Sequence, residues 1–307
     1  MDTRPLTETL PPMRSLMFVP AHRGRMVERA LGLGEFGPSG LDVAILDLED
    51  GVPPAAKDEA RRLVAEVLGR PRGGPLRYVR MQRPLSDAGE ADLDAVVRPG
   101  LDGIVAPKLR RAEEVVWLVD ELDARERGAA IAPGTVRVIA SIESAAALLD
   151  APRIAASAER VIGLTLGSED FALDLGLPTI REGEAAELLY ARSATVVAAV
   201  SAGKLAIDGI WPDITDTDGL RADSLRARRL GFSGKTLIHP GQIAIVNEIF
   251  SPTAAEVEQA RRVVRAFDEA VGRGEGAVAL DGQMLDAPVV DRARRVLLAH
   301  ARAPRNA

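Results

Sequence analysis

The sequence predicts an α/β protein built as a (β/α)8 TIM barrel with an appended C-terminal helical and lid segment. Eight short runs of apolar or β-branched residues alternate with helical patterns, an order for which a closed parallel barrel is the natural solution. The 307 residues suffice for a barrel of about 250 residues and a tail. An open doubly wound sheet is the alternative, and it is disfavoured because no G-x-G-x-x-G motif opens an early helix.

The apolar runs are predicted as buried parallel strands because they are short and continuous. In chain order they cover residues 16–20, 43–48, 76–81, 103–107, 136–140, 161–166, 205–208 and 235–238. Apolar residues at helical spacing predict the intervening helices, which cover residues 25–33, 55–68, 91–97, 112–126, 145–149, 184–202, 220–230 and 242–250. Residues 1–13 are polar and contain proline, so a loose arm is expected there.

The chain continues beyond the eighth unit. A charged helix is predicted over 252–272, a hairpin over 275–282 and a last helix over 288–300. We therefore divide the chain into a catalytic barrel, residues 1–251, and a C-terminal lid and helical extension, residues 252–307. This extension is expected to pack against the barrel or to cross to a neighbouring subunit.

Composition excludes several classes of function. The net charge is −6, from 39 basic and 45 acidic residues, which argues against a nucleic-acid or membrane role. Any anionic ligand must then be held by local Arg or Lys side chains. The absence of cysteine excludes disulfides, a thiolate nucleophile and a Cys-based zinc site. No apolar run of about 18 residues occurs and the N-terminus lacks a signal-peptide pattern, so a cytoplasmic protein is expected.

Polar side chains follow the predicted strands, at the barrel end where active sites lie. Glu143 follows the fifth strand and Asp170 the sixth. Carboxylates at the ends of adjacent parallel strands project into one crevice, where they suit a hard cation such as Mg²⁺. The alternative is that they cap the following helices. The same ending on two successive strands favours the metal site, and further acids and cations follow other strands: Asp47, Glu49, Asp50, Arg80 and Lys108.

Several motifs along the chain occur together in one known family. They are RSLMFVP at 14–20, ILDLED at 45–50, Arg80, PK at 107–108, IES at 142–144, GSED at 167–170, AIDG at 206–209, IHP at 238–240 and GQMLDAP at 282–288. As a set, running from about residue 14 to residue 300, they resemble the citrate lyase beta-subunit-like family. Malyl-CoA and citramalyl-CoA lyases belong to it, within the pyruvate/phosphoenolpyruvate barrel superfamily.

The resemblance implies a magnesium ion bound by Glu143 and Asp170, with Glu49 and Asp50 touching metal-bound water. It also implies Arg80 as the clamp for a 2-oxoacid carboxylate. The chemistry agrees, because Mg²⁺ takes few protein carboxylates and keeps other oxygens. An Arg fork holds a carboxylate through two hydrogen bonds.

The resemblance further implies that Asp286 is a catalytic acid/base reaching the active site of a neighbouring subunit, in a homotrimer or dimer of trimers. The alternative is that Asp286 caps the last helix. Substrate- or CoA-binding roles are assigned to Arg14, Arg23 and Lys108. For the two arginines the alternative is plain surface charge, and for Lys108 a structural cap of a barrel strand.

The expected function is Mg²⁺-dependent cleavage of a 3-hydroxyacyl-CoA, of malyl- or citramalyl-CoA type, into acetyl-CoA and a 2-oxoacid, or the reverse condensation. Three alternatives are a citrate lyase beta subunit acting on citryl-acyl-carrier protein within a complex, a CoA-independent 2-oxoacid aldolase, and a non-catalytic paralogue. The sequence departs from the family at RMQ, residues 80–82, and at PAHR, residues 20–23. Both changes touch substrate-facing loops and so bear on substrate identity.

Overall fold

A computed structural model describes residues 10–178, 185–274 and 276–302. Within these ranges eight parallel strands close into a barrel in chain order, which confirms the predicted fold. The strands are Ser15–Pro20 (β1), Val43–Asp47 (β2), Leu76–Arg80 (β3), Gly103–Ala106 (β4), Arg137–Ile142 (β5), Val161–Leu166 (β6), Leu205–Asp208 (β7) and Gly234–Leu237 (β8). Residues 1–9 of the predicted arm lie outside the described residues.

Helices follow the strands around the barrel. They are Gly24–Leu31 (α1), Lys57–Leu68 (α2), Asp87–Val96 (α3), Ala112–Gly128 (α4), Ala145–Ala156 (α5), Ser168–Asp174 (α6), Leu189–Ser201 (α7), Thr217–Leu230 (α8) and Ile243–Ile249 (α9). Several helices differ from the prediction: α6 was not predicted, and α3 begins at Asp87, four residues before the predicted start. α5 continues through Pro152, which removes one backbone hydrogen bond without ending the helix. The helix predicted over 184–202 begins at Leu189, after a 3-10 turn, and residue 184 lies outside the described residues.

The core has two layers. One large cluster lies between the strands and the surrounding helices. A smaller cluster comes from the strands and the residues just before β1, and we assign it to the barrel interior. Tyr78 in this cluster is almost fully buried. Gly103 faces it, and a Cβ there would overlap the Tyr78 ring, so the large side chain fits because the neighbouring strand has none.

Arg14 lies just before β1, at the end of the barrel opposite the strand ends that carry the acids. Its guanidinium forms two hydrogen bonds to Asp42, both 2.8 Å long, and a third to Ser251 Oγ. We expected Arg14 to bind substrate or CoA. In the structure it instead pairs with Asp42 at the opposite end of the barrel from these acids, because it precedes a strand and does not follow one.

The C-terminal segment folds against itself. It comprises Ala254–Gly272 (α10), Val278–Leu280 (β9), Gln283–Leu285 (β10) and Ala287–Arg302 (α11). Asp281 and Gly282 have positive φ and form the tight hairpin turn for which an Asp-Gly pair is typical. The predicted hairpin over 275–282 is therefore too early in the chain, and residue 275 lies outside the described residues.

The segment also has an apolar cluster of its own, formed by Ala260, Val263, Leu285, Val290 and Ala293. An ion pair of 2.9 Å between Arg228 of α8 and Glu256 of α10 joins it to the barrel. This separate cluster supports the proposed division between residues 251 and 252. None of the helices in the described ranges is long and apolar enough to cross a membrane.

Candidate active site

Arg80 is the central cation of the barrel mouth. It ends β3 and lies in register with Asp47, which ends β2. Its Nε and Nη2 atoms donate to the two carboxylate oxygens of Asp47 at 2.8 and 2.7 Å. Its Nη1 atom lies 3.1 Å from Glu49 Oε2, and the Phe18 ring centroid lies 4.5 Å from the guanidinium carbon. Asp47 thus fixes the direction in which Arg80 points.

The loop after β2 turns its acids towards the same mouth. The backbone N–H groups of Glu49 and Gly51 each donate to the Asp47 carboxylate at 2.9 Å. A Cβ at position 51 would overlap that carboxylate, so the turn needs glycine. Glu49 is buried at 3% exposure, and this burial raises its pKa despite the opposing charges of Arg80 and Lys108. Asp50 remains exposed beside it.

Lys108 joins the loops after β2, β4 and β5. Its Nζ atom lies 2.6 Å from Glu49 Oε1 and 3.2 Å from Asp50 Oδ2. Its backbone N–H donates to Glu143 Oε2 at 2.9 Å, in a left-handed conformation with φ of 53°. Burial alone would lower the pKa of Lys108, but the contacts with Glu49 and Asp50 outweigh it and raise the pKa. Lys108 therefore holds acids of the site together.

Glu143 directly follows β5 and is buried at 6% exposure. A Cβ at Gly167, just after β6, would overlap the Glu143 side chain, so the glycine makes room for it. Burial is the main cause that raises the pKa of Glu143 to about 7, and the negative charges of Glu49 and Asp170 add to it. The carboxylate is therefore costly to ionise unless a cation is present.

Asp170 lies in the first turn of α6, beyond β6, and is partly exposed. Its negative charge adds to the raised pKa of Glu143, so the two acids lie close enough to interact electrostatically. Among the described residues, no group of three or more His, Asp and Glu side chains is arranged to hold a metal ion. Two carboxylates suit Mg²⁺, which keeps water or substrate oxygens in its remaining positions. The concentrated negative charge around Glu143 fits such an ion.

The remaining predicted residues lie apart from this cluster. Arg23 is exposed in the turn between β1 and α1, on the same end of the barrel. Asp286 lies in the C-terminal segment, where its Oδ1 atom accepts a hydrogen bond of 3.3 Å from the Val289 N–H at the start of α11. This is the capping contact that we considered as the alternative, and within one chain the described contacts of Asp286 stay in the C-terminal segment.

Three residues that shape the site had no predicted role. Asp47 orients Arg80, Phe18 packs against the guanidinium, and Ser141 donates a hydrogen bond that opposes the raised pKa of Glu143. Asp47 was detectable, because an acid and an arginine at the ends of adjacent parallel strands fall in register. Phe18 and Ser141 lie within strands, where the sequence shows their type and does not show which way they face.

The family model described as HpcH/HpaI aldolase/citrate lyase matches residues 14–240. Citrate lyase subunit beta of Escherichia coli K12 is 39% identical over 285 residues, covering 92% of each chain. A (3S)-malyl-CoA thioesterase of Cereibacter sphaeroides is 34% identical over 287 residues, covering 93% of this chain and 94% of its own. The mitochondrial citramalyl-CoA lyase of Rattus norvegicus is 31% identical over 297 residues, covering 93% and 85%.

Two solved structures of related proteins are also similar to this chain. The CitE protein of Mycobacterium tuberculosis in complex with magnesium, acetoacetate and coenzyme A superposes with a TM-score of 0.74 at 30% identity, covering 96% of this chain and 99% of that one. The citrate lyase beta subunit of the same organism, with oxaloacetate and magnesium, gives 0.65 at 28% identity, covering 80% and 100%.

Proposed function

The chain belongs to the HpcH/HpaI aldolase/citrate lyase family, and from this premise we propose a Mg²⁺-dependent carbon–carbon lyase. Its substrate would be a 3-hydroxyacyl-CoA of malyl- or citramalyl-CoA type, cleaved to acetyl-CoA and a 2-oxoacid or formed from them. The observation that carries the proposal is the buried Glu143 carboxylate, which accepts a hydrogen bond from the Lys108 N–H beside the network of Arg80, Glu49 and Lys108. It follows β5, the strand that pairs with β6, and Asp170 follows β6.

Glu143 and Asp170 are the residues we propose as ligands of Mg²⁺. Glu49 and Asp50 are proposed to accept hydrogen bonds from water bound to the ion. A Mg²⁺ ion held by these residues would supply a Lewis acid that polarises the carbonyl group of a 2-oxoacid. Lys108 keeps the acids in place by binding Glu49 and Glu143 at once.

Arg80 is proposed to hold the carboxylate of the 2-oxoacid. Its Nε–Nη2 edge is already occupied by Asp47, so a substrate would have to approach from the Nη1 side, which Glu49 shares at 3.1 Å. The pair with Asp47 stops the guanidinium from rotating. A clamp that is fixed before substrate arrives loses less side-chain entropy on binding.

Asp286 is proposed to exchange the proton at the acetyl methyl group, from a neighbouring subunit of a homotrimer or dimer of trimers. Exposed apolar side chains support an association between chains. Met284, two residues before Asp286, is 74% exposed, and Leu149, Leu173 and Tyr190 on α5–α7 are 81%, 77% and 74% exposed. Contiguous apolar patches are typical of surfaces that another chain covers, whereas single exposed apolar side chains are common on any protein.

Arg23 is proposed to meet the CoA phosphates, because it is an exposed cation at the mouth end of the barrel. Lys108 is a weaker candidate for that contact, since its amine binds Glu49 and Asp50. We therefore propose that Lys108 acts on the substrate through these acids.

A second candidate is a citrate lyase beta subunit acting on citryl-acyl-carrier protein within a complex. The 39% identity to the Escherichia coli subunit favours it, against 34% and 31% for the two relatives named after CoA esters. The CoA-independent 2-oxoacid aldolase remains a further alternative without an observation in its favour.

The test is to assay the purified chain alone with malyl-CoA, citramalyl-CoA and citryl-acyl-carrier protein, with Mg²⁺ and with a chelator. We expect Mg²⁺-dependent release of acetyl-CoA from a CoA ester. Turnover of the carrier-protein substrate alone would support the second candidate. Full activity in the presence of chelator would contradict both.

A further inference from the structure

A lysine that is not among the proposed site residues binds the backbone of the acidic loop, residues 48–50. Lys57 is the first residue of α2, and its Nζ atom donates to the carbonyl oxygens of Leu48 at 2.7 Å and Glu49 at 2.5 Å. The side-chain amide of Gln82 also donates to the Leu48 carbonyl. These carbonyls belong to the backbone that carries Glu49 and Asp50 into the mouth.

The position of Lys57 is set by the chain around it. Pro53 precedes a 3-10 turn, Pro54–Ala56, that runs directly into α2, and the fixed φ angles of the two prolines determine where the helix starts. The helix therefore presents Lys57 to the loop nine residues earlier. The lysine is half-buried, so its hydrogen bonds are partly sheltered from water, which strengthens them relative to fully exposed ones.

Lys57 also places a positive charge close to four acids. Burial lowers its pKa, while the charges of Asp47, Asp92, Glu49 and Asp50 act in the opposite direction. Asp92 is itself fully buried and accepts hydrogen bonds from Arg61 Nε at 2.7 Å and the Gln82 N–H at 2.6 Å. The support behind the loop is thus a paired set of charges joining α2, α3 and the segment after β3.

We propose that Lys57 is a positioning residue of the active site, which fixes the carbonyls of Leu48 and Glu49 so that the Glu49 carboxylate faces Arg80 and Lys108. It touches no reacting group in this role. Its effect on Mg²⁺ rests on the function proposed above, whereas its effect on the loop does not. Without the lysine the two carbonyls lose a shared donor, and Glu49 loses the backbone position from which it reaches both cations.

The test compares Lys57→Met with Lys204→Met. Lys204 is a matched control, because its Nζ atom also donates to two carbonyls, those of Ala158 and Glu159, at 3.3 and 3.1 Å. These residues precede β6 and β7, so the control removes the same kind of contact at the opposite end of the barrel. Lys57→Arg, which keeps the charge and the donors, is the rescue variant.

Two measurements are made on each protein. Hydrogen exchange of residues 47–52 in metal-free protein reports on the loop, and a calorimetric titration with Mg²⁺ reports on the site. For Lys57→Met we expect faster exchange in this loop and a Kd for Mg²⁺ about tenfold higher, the lower end of what losing an outer-shell support costs. Lys57→Arg is expected to recover most of both, and Lys204→Met to change neither.

Unchanged exchange and unchanged Mg²⁺ affinity in a folded Lys57→Met protein would overturn the proposal, as would equal effects of Lys204→Met. If circular dichroism shows that Lys57→Met does not fold, Lys57→Gln is measured in its place, since glutamine keeps one shorter, uncharged donor group. A wild-type protein that binds no Mg²⁺ would refute the proposed function, and the exchange comparison would still decide the role of Lys57.

Discussion

Among single residues, Glu143 gives the clearest dependence on pH. Its pKa in the folded metal-free protein is raised from 4.5 to about 7, chiefly by burial. Between these two values the folded protein holds a proton that the unfolded chain has lost. The free energy of unfolding is therefore expected to fall as the pH rises through this interval. Chemical denaturation of metal-free protein at several pH values measures this dependence.

Glu143→Gln provides the control for this prediction, because glutamine does not titrate. The variant should lose this contribution and show a flatter dependence between pH 4.5 and 7. As proposed, Mg²⁺ would bind the ionised carboxylate and release a proton, so the apparent Mg²⁺ affinity of the wild type should rise over the same interval. Identical pH dependence in the two metal-free proteins would show that Glu143 is not responsible.

Arg80→Lys tests the proposed carboxylate clamp. Lysine keeps the charge but cannot form the two-pronged contact with Asp47, so the remaining cation is free to rotate. We expect a loss of transition-state stabilisation of about 2–5 kcal/mol, as for truncating a buried charged pair. The measurement is kcat/KM together with the Kd for acetyl-CoA, which should change little. Strongly weakened acetyl-CoA binding with intact 2-oxoacid binding would point to a different role.

The sequence could predict that Arg80, Glu143 and Asp170 lie at one end of the barrel, because each follows a strand. It could not predict that Asp47 occupies one edge of the Arg80 guanidinium, since this depends on the side-chain conformations of two residues on paired strands. Arg14 was expected at the active-site end because it is next to a strand in sequence, but this proximity does not distinguish the two ends of the strand.

At the scale of elements, a buried network of charges joins the last strands and helices. Arg192 of α7 pairs with Asp208 of β7 at 2.8 Å and with Asp223 of α8 at 2.8 Å. Lys235 of β8 binds the same two acids at 2.6 and 2.5 Å. Two cations and two anions thus satisfy one another between barrel and helices, and removing one would leave a buried charge without its partner.

Lys235→Met is therefore expected to destabilise the fold by about 3–5 kcal/mol, the usual cost of breaking a buried ion pair from one side. Arg221→Met is the control, because Arg221 pairs with Glu248 at 2.9 Å on the surface, and surface pairs contribute little. Urea denaturation measures both. Equal stability of the two variants would show that the buried network is not a major source of stability.

Apolar runs located every strand of the barrel to within about two residues, because buried strands are the most regular part of the pattern. Boundaries that depend on turn chemistry were less accurate. The hairpin is centred on Asp281 and Gly282. The prediction began too early in the chain because it followed the apolar residues before this turn. The short helix α6 was not separated from its surroundings, since seven residues carry little periodicity.

For the whole molecule, the C-terminal segment raises the question of how Asp286 reaches a site. The segment has its own apolar cluster, and Asp286 caps α11 there. If it acts in a neighbouring subunit, two inactive variants should complement each other. We expect that Asp286→Ala and Glu143→Gln, mixed after dissociation and reassembly, regain part of the activity, because some sites then contain both intact residues.

The control is to mix each variant with itself, which should remain inactive. Exchange of subunits is verified with differently labelled chains. A mixture that stays inactive while its subunits demonstrably exchange would place the action of Asp286 within its own chain or remove it. Normal turnover by Asp286→Ala alone would exclude it as the acid/base.

The closed barrel follows from strict alternation of strands and helices, so the sequence alone could predict it. The placement of the C-terminal segment could not be predicted in this way. It depends on tertiary contacts, and no repeated pattern in the sequence indicates them. The acids that follow the strands in sequence lie at one end of the barrel in the structure, which is the end where the metal site is proposed.

A calorimetric titration with Mg²⁺ at pH 8 tests the central claim most directly. It compares the wild type with Glu143→Gln, Asp170→Asn and the control Asp94→Asn, which removes an exposed acid paired with Arg125 on the outside of α3. We expect one Mg²⁺ site in the wild type and the control, and a Kd at least about tenfold higher in both site variants, since losing even an outer-shell support has that effect. Unchanged Mg²⁺ affinity in Glu143→Gln or Asp170→Asn would contradict the account.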